Sequence, residues 1–175
     1  MPIPRPACRR PAATTVAPVD NCHLFPNFSS MPFSHNALDP VVAAIFRELC
    51  PGTMMDIGPG AGKYGRMMKE AEASTGFDCH KTAVEISSDY VERFGLSTLY
   101  DSVLVQDAAA LITGAPDLRG DLVICGDVIE HLPKSKGVDL VEYLLYRFRQ
   151  VVIVFPIDLP QGTWEGHLAE AHLSS

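Results

Sequence analysis

The sequence predicts an α/β domain with a doubly wound, mostly parallel sheet and helices on both faces. From Thr53 onward, short apolar runs are each followed by a Gly or Asp turn and then a helical stretch, the pattern of repeated strand–helix–strand units. The runs contain few polar positions, as is typical of strands covered on both faces. With 175 residues, 47% hydrophobic and 20% charged, the chain is long enough for one such domain.

Each element follows from its local pattern. A helix is predicted from Asp39, which caps it, to Leu49, because Pro40 follows the cap and Pro51 stops the run. About five strands are predicted, at Thr53–Ile57, Thr82–Ile86, Ser102–Val105, Leu122–Cys125 and Val151–Phe155. Further helices are predicted near residues 63–73, 88–94, 108–113 and 135–148. Ligands of parallel sheets bind beyond the carboxyl ends of the strands, so we expect functional residues just after each strand.

The first 35 residues differ from the rest of the chain. Seven of the fourteen prolines lie in residues 1–32, where apolar residues show little periodicity. We therefore expect an irregular or mobile N-terminal arm over residues 1–35 and a folded domain over residues 36–175.

Composition restricts the partners. The net charge is −7, and no cluster of Lys and Arg offers the surface that nucleic acids require, so a small-molecule partner is favoured over nucleic acid. No apolar stretch approaches the ~20 residues of a membrane helix, so we expect no membrane contact. Five cysteines, an odd number without a CxxC pair, favour a reducing compartment, and we expect a cytoplasmic protein.

A glycine-rich loop follows the first predicted strand, with the sequence Asp-Ile-Gly-Pro-Gly-Ala-Gly-Lys-Tyr-Gly over residues 56–65. Glycines let the backbone approach a ligand closely, and the helix that follows presents free N–H groups. A phosphate-binding P-loop is disfavoured, because Tyr64 stands where that motif needs Ser or Thr. Gly60, Gly62 and Gly65 match the dinucleotide fingerprint, with Glu85 twenty residues beyond. That match, however, would place Gly58 and Pro59 inside a central strand.

A third interpretation also explains Asp56. An acid two residues before a Gly-x-Gly-x-Gly loop resembles the first motif of class I S-adenosylmethionine-dependent methyltransferases, whose fold is Rossmann-like. The resemblance covers residues 36–175 and implies S-adenosylmethionine as the cofactor. It implies that Glu85 binds the ribose hydroxyls, Asp107 binds the adenine amino group and Ala108 backs the ring. The cofactor-binding residues that it implies are Asp56, Gly58, Gly60, Gly62, Glu85, Ile86, Asp107, Ala108, Gly126 and Asp127.

The chemistry of this cofactor suits acids rather than lysines. S-adenosylmethionine has no phosphates, its ribose diol needs a bidentate acceptor, and its amino group needs carboxylate or carbonyl partners. Simpler roles stay open for two acids. Asp107 is equally placed to cap a helix that starts at Ala108, and Glu130 could form a surface ion pair with Lys134 or Lys136.

The segment after the fourth predicted strand carries the candidate catalytic residues Asp127, Glu130 and His131. In a helical turn, Asp127 and His131 would share one face, so the three could meet one proton or one metal ion. The cluster resembles that of metal-assisted 2′-O-methyltransferases of small-RNA 3′ ends and, more loosely, of ubiquinone-pathway O-methyltransferases. Those RNA enzymes use a further histidine from beyond the fifth strand, for which this chain offers His167 and His172. A base or orienting role for His131 without metal is the other interpretation.

The same resemblance implies seven strands, but only twenty residues follow Phe155. Residues 156–166 are predicted to form an irregular loop, so we expect the C-terminal strand pair to be missing. The exposed edge of the sheet then needs a cover, such as a second subunit. The expected function is methyl transfer to an unidentified small molecule. The alternatives are a cofactor-binding module without turnover and a metal-assisted O-methyltransferase that uses Glu130 and His131.

Overall fold

The computed structural model describes residues 36–114, 118–155, 162–164 and 167–172. Five strands form one sheet in which every neighbouring pair is parallel, in the order β3-β2-β1-β4-β5. The strands are β1 Thr53–Ile57, β2 His80–Glu85, β3 Ser102–Val105, β4 Gly120–Gly126 and β5 Phe148–Val154. The order reverses between β1 and β4, which places the ligand crevice of such a sheet beyond the carboxyl ends of these two strands.

The described residues form six α-helices, of which the first precedes β1 and the other five lie between strands. They are α1 Asp39–Leu49, α2 Lys63–Thr75, α3 Ser88–Arg93, α4 Leu96–Leu99, α5 Leu111–Gly114 and α6 Lys134–Arg147. Short 3-10 turns lie at Asn36–Leu38, Ala108–Ala110 and Ile129–His131. The predicted arm, residues 1–35, lies outside the described residues. Within the described part of the chain, none of the helices is long and apolar enough to cross a membrane.

The predicted α/β class and the parallel five-stranded sheet are confirmed. The bounds predicted for β1 and β3 are also correct, whereas the other three strands begin earlier than predicted. Ile86 and Phe155 lie just outside β2 and β5. Asp39 is the first residue of α1 rather than its cap, and its carboxylate instead pairs with Lys63 at the start of α2.

Two apolar layers cover the two faces of the sheet, because neighbouring residues of each strand point to opposite sides. Met54 and Leu122 join the layer under α1 and α2, while Met55 and Val123 join the layer under α6. Large, fully buried side chains of the two layers include Phe46, Met68 and Leu96 on the first face and Leu111, Leu140 and Leu144 on the second. Burial on both faces explains why β1 and β4 read as continuous apolar runs.

The two edge strands are less covered than the sequence pattern predicted. Leu104 is 38% exposed and Val105 is 54% exposed in β3, and Phe155 after β5 is 55% exposed. Apolar composition alone does not distinguish a central strand from an edge strand, because both take β-branched and aliphatic residues.

The prediction that residues 156–166 form an irregular loop is wrong for Gly162–Trp164. These residues form β6, which pairs antiparallel with β7, His167–His172, in a separate two-stranded sheet. A three-residue strand with a glycine carries no alternation of its own, so its sequence gives no signal of this long-range pairing. The other residues of the predicted loop, 156–161 and 165–166, lie outside the described residues.

Candidate functional site

Four carboxyl groups gather at the carboxyl ends of the central strands. Asp56 is the next-to-last residue of β1, Glu85 ends β2, and Asp127 and Glu130 follow β4. The side chains of Asp56, Glu85 and Glu130 are buried, and Asp127 is half-buried. A buried carboxylate is costly unless it is paired, so this grouping favours a ligand that carries positive charge.

Asp56 is held by a tyrosine from another part of the chain. The Tyr100 hydroxyl donates to Oδ2 of Asp56 at 2.5 Å, and its oxygen accepts from the Gly65 N–H at 3.1 Å. The other carboxyl oxygen, Oδ1, is buried and has no hydrogen-bond partner among the described residues. Burial raises the pKa of Asp56 to about 7, the Tyr100 bond opposes that rise, and the charge of Glu85 adds to it.

Glu85 links the end of β2 to the glycine loop. Its Oε1 accepts from the Ser87 N–H at 2.9 Å, and the carboxylate also accepts from the backbone of Gly60 and Ile86. Burial raises the pKa of Glu85, and these backbone bonds oppose the rise. A carboxylate offers about four acceptor sites, so these three backbone bonds leave Glu85 capacity to accept from a ligand hydroxyl.

Asp127 has an unusual backbone. Its φ of 52° is left-handed, a conformation that costs a non-glycine residue free energy and is concentrated at functional sites. Its N–H donates to the Val154 carbonyl at 2.8 Å, which fixes the residue at the end of β4 beside β5. Its Oδ2 is buried and has no hydrogen-bond partner among the described residues.

The predicted geometry of the segment after β4 requires correction. Asp127 precedes a 3-10 turn at Ile129–His131 instead of lying in an α-helical turn, so the four-residue spacing does not bring Asp127 and His131 onto one face. No three His, Cys, Asp or Glu side chains of the described residues are placed to share a metal ion. Glu130 is buried, so it does not lie at the surface, where the ion-pair interpretation with Lys134 or Lys136 had placed it. The β7 strand lies beside this turn, which brings the backbone of His167–His172 close to it.

Protein side chains occupy the Cβ positions of three loop glycines. A Cβ at Gly58, whose φ is 66°, would lie 2.3 Å from Cγ2 of Val128. A Cβ at Gly62 would lie 2.5 Å from Cδ2 of Leu99, and a Cβ at Gly126 would lie 2.4 Å from Cε2 of the Tyr64 ring. Gly60 is also left-handed, with a φ of 50°. These glycines are therefore required by the packing and bends of the loops themselves, whatever ligand the loops bind.

The ends of β2 and β3 present an apolar surface beside polar groups. Ile86 is 60% exposed directly after Glu85, and Ala108 is half-buried. Asp107 is exposed and caps the 3-10 turn, since its Oδ1 accepts from the Ala109 N–H at 2.9 Å. The capping interpretation of Asp107 is thus correct, and a second role toward a ligand stays a prediction.

The end of β1 distinguishes the two interpretations of the glycine loop. The strand stops at Ile57, so Gly58 and Pro59 lie in the loop beyond it, whereas the dinucleotide fingerprint would place them within the strand. In addition, the Gly65 N–H is occupied by Tyr100. The loop therefore starts where the class I methyltransferase motif requires.

Tyr64, Tyr100 and Val128 contact the predicted site residues but were not predicted. Tyr100 lies 44 positions from Asp56, and no spacing rule connects them. In the sequence, Tyr64 stands where a P-loop needs Ser or Thr. The structure shows in addition that its ring packs on Gly126. Cys125 is buried, and burial raises the pKa of its thiol, which makes it a poor nucleophile.

Comparisons with known proteins agree with this geometry. No family model matches the chain. The chain is 28% identical over 86 residues to the ubiquinone biosynthesis O-methyltransferase of Actinobacillus pleuropneumoniae serotype 5b (strain L20). The aligned residues are 49% of this chain and 37% of that protein.

Solved structures share the fold at low identity. The N-terminal domain of EvdMO1 with S-adenosylhomocysteine bound superposes with a TM-score of 0.52 at 13% identity, covering 69% of this chain and 50% of that one. The DhpI-SAM-HEP complex superposes with a TM-score of 0.51 at 20% identity, covering 70% of this chain and 56% of that one. The matched part thus spans about half of each solved chain. The described part of this chain has the class I S-adenosylmethionine-dependent methyltransferase fold.

Proposed function

We propose that the chain binds S-adenosylmethionine at the carboxyl edge of its sheet and transfers the methyl group to a small molecule. The observation that carries the proposal is the group of buried acids, in which Asp56 Oδ1 and Asp127 Oδ2 have no hydrogen-bond partner among the described residues. S-adenosylmethionine brings an ammonium and a sulfonium, both of which these acids attract. A dinucleotide would bring a pyrophosphate, which the same acids repel.

Each site residue has a role in this proposal. Glu85 accepts from the two ribose hydroxyls, Ile86 and Ala108 contact the adenine ring, and Asp107 accepts from the adenine amino group. On the other side of the crevice, Asp56 faces the ammonium. The remaining predicted ligands, Gly58, Gly60, Gly62, Gly126 and Asp127, border the cofactor with their backbone or, for Asp127, its carboxylate.

The bound cofactor supplies an electrophilic methyl group on a sulfonium. The protein's contribution to such a displacement is to fix the distance and angle of the two reactants and to exclude water. The strained Asp127 and the buried Glu130 hold the loop after β4 in one shape. In this proposal His131, which is half-buried at the end of this loop, accepts the proton that an acceptor hydroxyl or amine releases.

The acceptor side of the site lies between the 3-10 turn Ile129–His131 and β7, the two elements that meet beyond β4. A small-molecule acceptor fits the net charge of −7, which disfavours RNA and other polyanions. It also fits the name of the curated relative, an O-methyltransferase of ubiquinone biosynthesis.

His131→Ala is expected to lower turnover by about 10²-fold to 10⁴-fold while leaving cofactor affinity unchanged, because the variant loses a general base but no cofactor contact. His80→Ala, at the far end of β2, is the matched control and should keep full activity. Activity is measured with whichever acceptor a compound screen identifies. If His131→Ala turns over at the rate of the unsubstituted protein, the histidine takes no part in proton transfer.

A metal-assisted reaction through Glu130 and His131 predicts a different result in the same assay. In that case the unsubstituted protein loses activity in a chelator and regains it with a divalent ion. We expect activity that is indifferent to chelator, because the described residues place no three potential ligands around one point.

The second candidate function is a cofactor-binding module without turnover. The short match to the ubiquinone biosynthesis O-methyltransferase supports this candidate. The chain matches only 37% of the length of that enzyme. Incubation with S-adenosylmethionine and a metabolite extract separates the candidates. Release of S-adenosylhomocysteine above the rate without extract supports an enzyme, and saturable binding without release supports a module.

Two further parts of the proposal concern the protein's surroundings. We propose a homodimer that covers the free edge of β5, to be tested by light scattering of the purified chain. We also propose a cytoplasmic location, to be tested by cell fractionation. The buried free thiols of Cys79 and Cys125 suit a reducing compartment.

A further inference from the structure

Tyr100 lies between two parts of the proposed cofactor site. It is the last residue before the turn into β3, and it is 4% exposed. Its hydroxyl oxygen accepts from the Gly65 N–H in the first turn of α2, and its O–H donates to Asp56 at the end of β1. One hydroxyl therefore connects both ends of the glycine loop, which runs from β1 to α2.

Gly65 is a glycine because of this tyrosine. A Cβ at position 65 would lie 2.6 Å from Cζ of Tyr100 and 2.7 Å from its hydroxyl oxygen. The glycine that matched the dinucleotide fingerprint is thus explained by the close approach of an aromatic ring rather than by a ligand.

The bond from Tyr100 also decides which oxygen of Asp56 is available. Oδ2 is occupied by the Tyr100 hydroxyl, so the proton of a neutral Asp56 lies on Oδ1, the buried oxygen without a partner among the described residues. When Asp56 loses that proton, both oxygens share the charge, Oδ2 keeps the Tyr100 bond, and Oδ1 is the oxygen left to accept from a ligand.

We propose that Tyr100 is a positioning residue that orients Asp56, so that Oδ1 receives the ammonium group of the cofactor. This inference rests on the proposed function, because it assigns a partner to the ammonium of S-adenosylmethionine. It adds a residue that touches no cofactor atom and acts through Asp56 and the glycine loop.

The charges around Asp56 predict that the affinity for S-adenosylmethionine depends on pH. Glu85 at the end of β2 disfavours ionisation, while Cys125 on the neighbouring β4 is a buried neutral thiol. Asp127 and Glu130 lie beyond Cys125, and Arg66 of α2 acts on Tyr100. With a pKa of about 7, Asp56 is mostly neutral at pH 6 and mostly ionised at pH 7.5. Since a cation binds the ionised form, cofactor affinity rises with pH and levels off above the pKa of the free protein.

The experiment is calorimetric titration of the full chain with S-adenosylmethionine between pH 6 and pH 7.5. The unsubstituted protein should bind about fivefold to tenfold more tightly at the upper pH. Tyr100→Phe keeps the ring but loses the bond that lowers the pKa of Asp56, so its affinity should be about fivefold to tenfold lower at pH 7.5 and still rising there. Asp56→Asn should bind weakly at every pH, without the rise.

Tyr143→Phe is the matched control, because it removes a hydroxyl from the buried layer on the opposite face of the sheet. It should reproduce the unsubstituted pH profile. If Tyr100→Phe has the same affinity and the same profile as the unsubstituted protein, the inference is overturned while the proposed function stands. If the unsubstituted protein itself does not bind, the proposed function fails instead.

A second measurement needs no substitution and so does not depend on the variant folding. The NMR shift of the Gly65 amide should change with pH with a midpoint near 7, because its acceptor, the Tyr100 hydroxyl, is bonded to the titrating carboxyl. A Gly65 amide shift that is constant between pH 6 and pH 8 would overturn the inference.

Discussion

We expect the Glu85→Ala variant to bind S-adenosylmethionine at least about tenfold more weakly than the unsubstituted protein does. The change removes two charge-assisted hydrogen bonds to the ribose, each worth roughly 1.5–3 kcal/mol before water compensates part of the loss. It also removes the acceptor of the Gly60 and Ser87 N–H groups, which shapes the glycine loop. Dissociation constants from calorimetric titration measure the effect.

Two further variants separate these contributions. Glu85→Gln keeps one acceptor oxygen for the backbone N–H groups but loses the charge, so we expect it to retain the fold and still bind less tightly. Glu92→Ala, an exposed acid on α3, removes the same charge away from the crevice and should bind normally. An unchanged affinity in folded Glu85→Ala would reject the ribose assignment.

Gly58→Ala is expected to destabilise the fold by about 2–5 kcal/mol, which is the largest effect on folding that we predict. A φ of 66° costs a residue with a Cβ roughly 1–2 kcal/mol, and the contact with Val128 at 2.3 Å adds an overpacking cost of about 1–3 kcal/mol. The free energy of unfolding in urea measures the sum. Gly114→Ala, where a Cβ meets nothing within 4 Å, is the control and should change stability little.

The clash can be separated from the backbone strain by a double substitution. Val128→Ala removes the Cγ2 that the added Cβ at position 58 would meet, so combining it with Gly58→Ala should restore part of the lost stability while the strain remains. If the effects of the two substitutions on the free energy of unfolding are purely additive, the clash with Val128 does not contribute to the destabilisation by Gly58→Ala.

The positions of the strands and the acids that follow or end them could largely be predicted from the sequence. Apolar runs bounded by Gly and Asp mark β1 and β3 to the residue, because strands of a parallel sheet carry a strong local signal. Asp56 and Glu85 were predicted because the segments around them resemble the cofactor-binding motifs of class I S-adenosylmethionine-dependent methyltransferases.

The contacts between loops could not be predicted. Tyr100 and Asp56 are 44 positions apart in the sequence, and Val128 and Gly58 are also distant in sequence although they are in contact in the fold. The left-handed backbone of Asp127 was not predicted, since an aspartate gives only a weak sequence signal for a positive φ. The β6–β7 pair was missed because its strands are short and carry no alternating pattern.

Calorimetric titration of the full chain with S-adenosylmethionine at pH 7.5, repeated with NAD, is the decisive experiment. We expect saturable binding of one S-adenosylmethionine per chain and no binding of NAD, because the buried acids near the ends of β1, β2 and β4 attract a cation and repel a pyrophosphate. Saturable binding of NAD, or no heat of binding with S-adenosylmethionine, would contradict it.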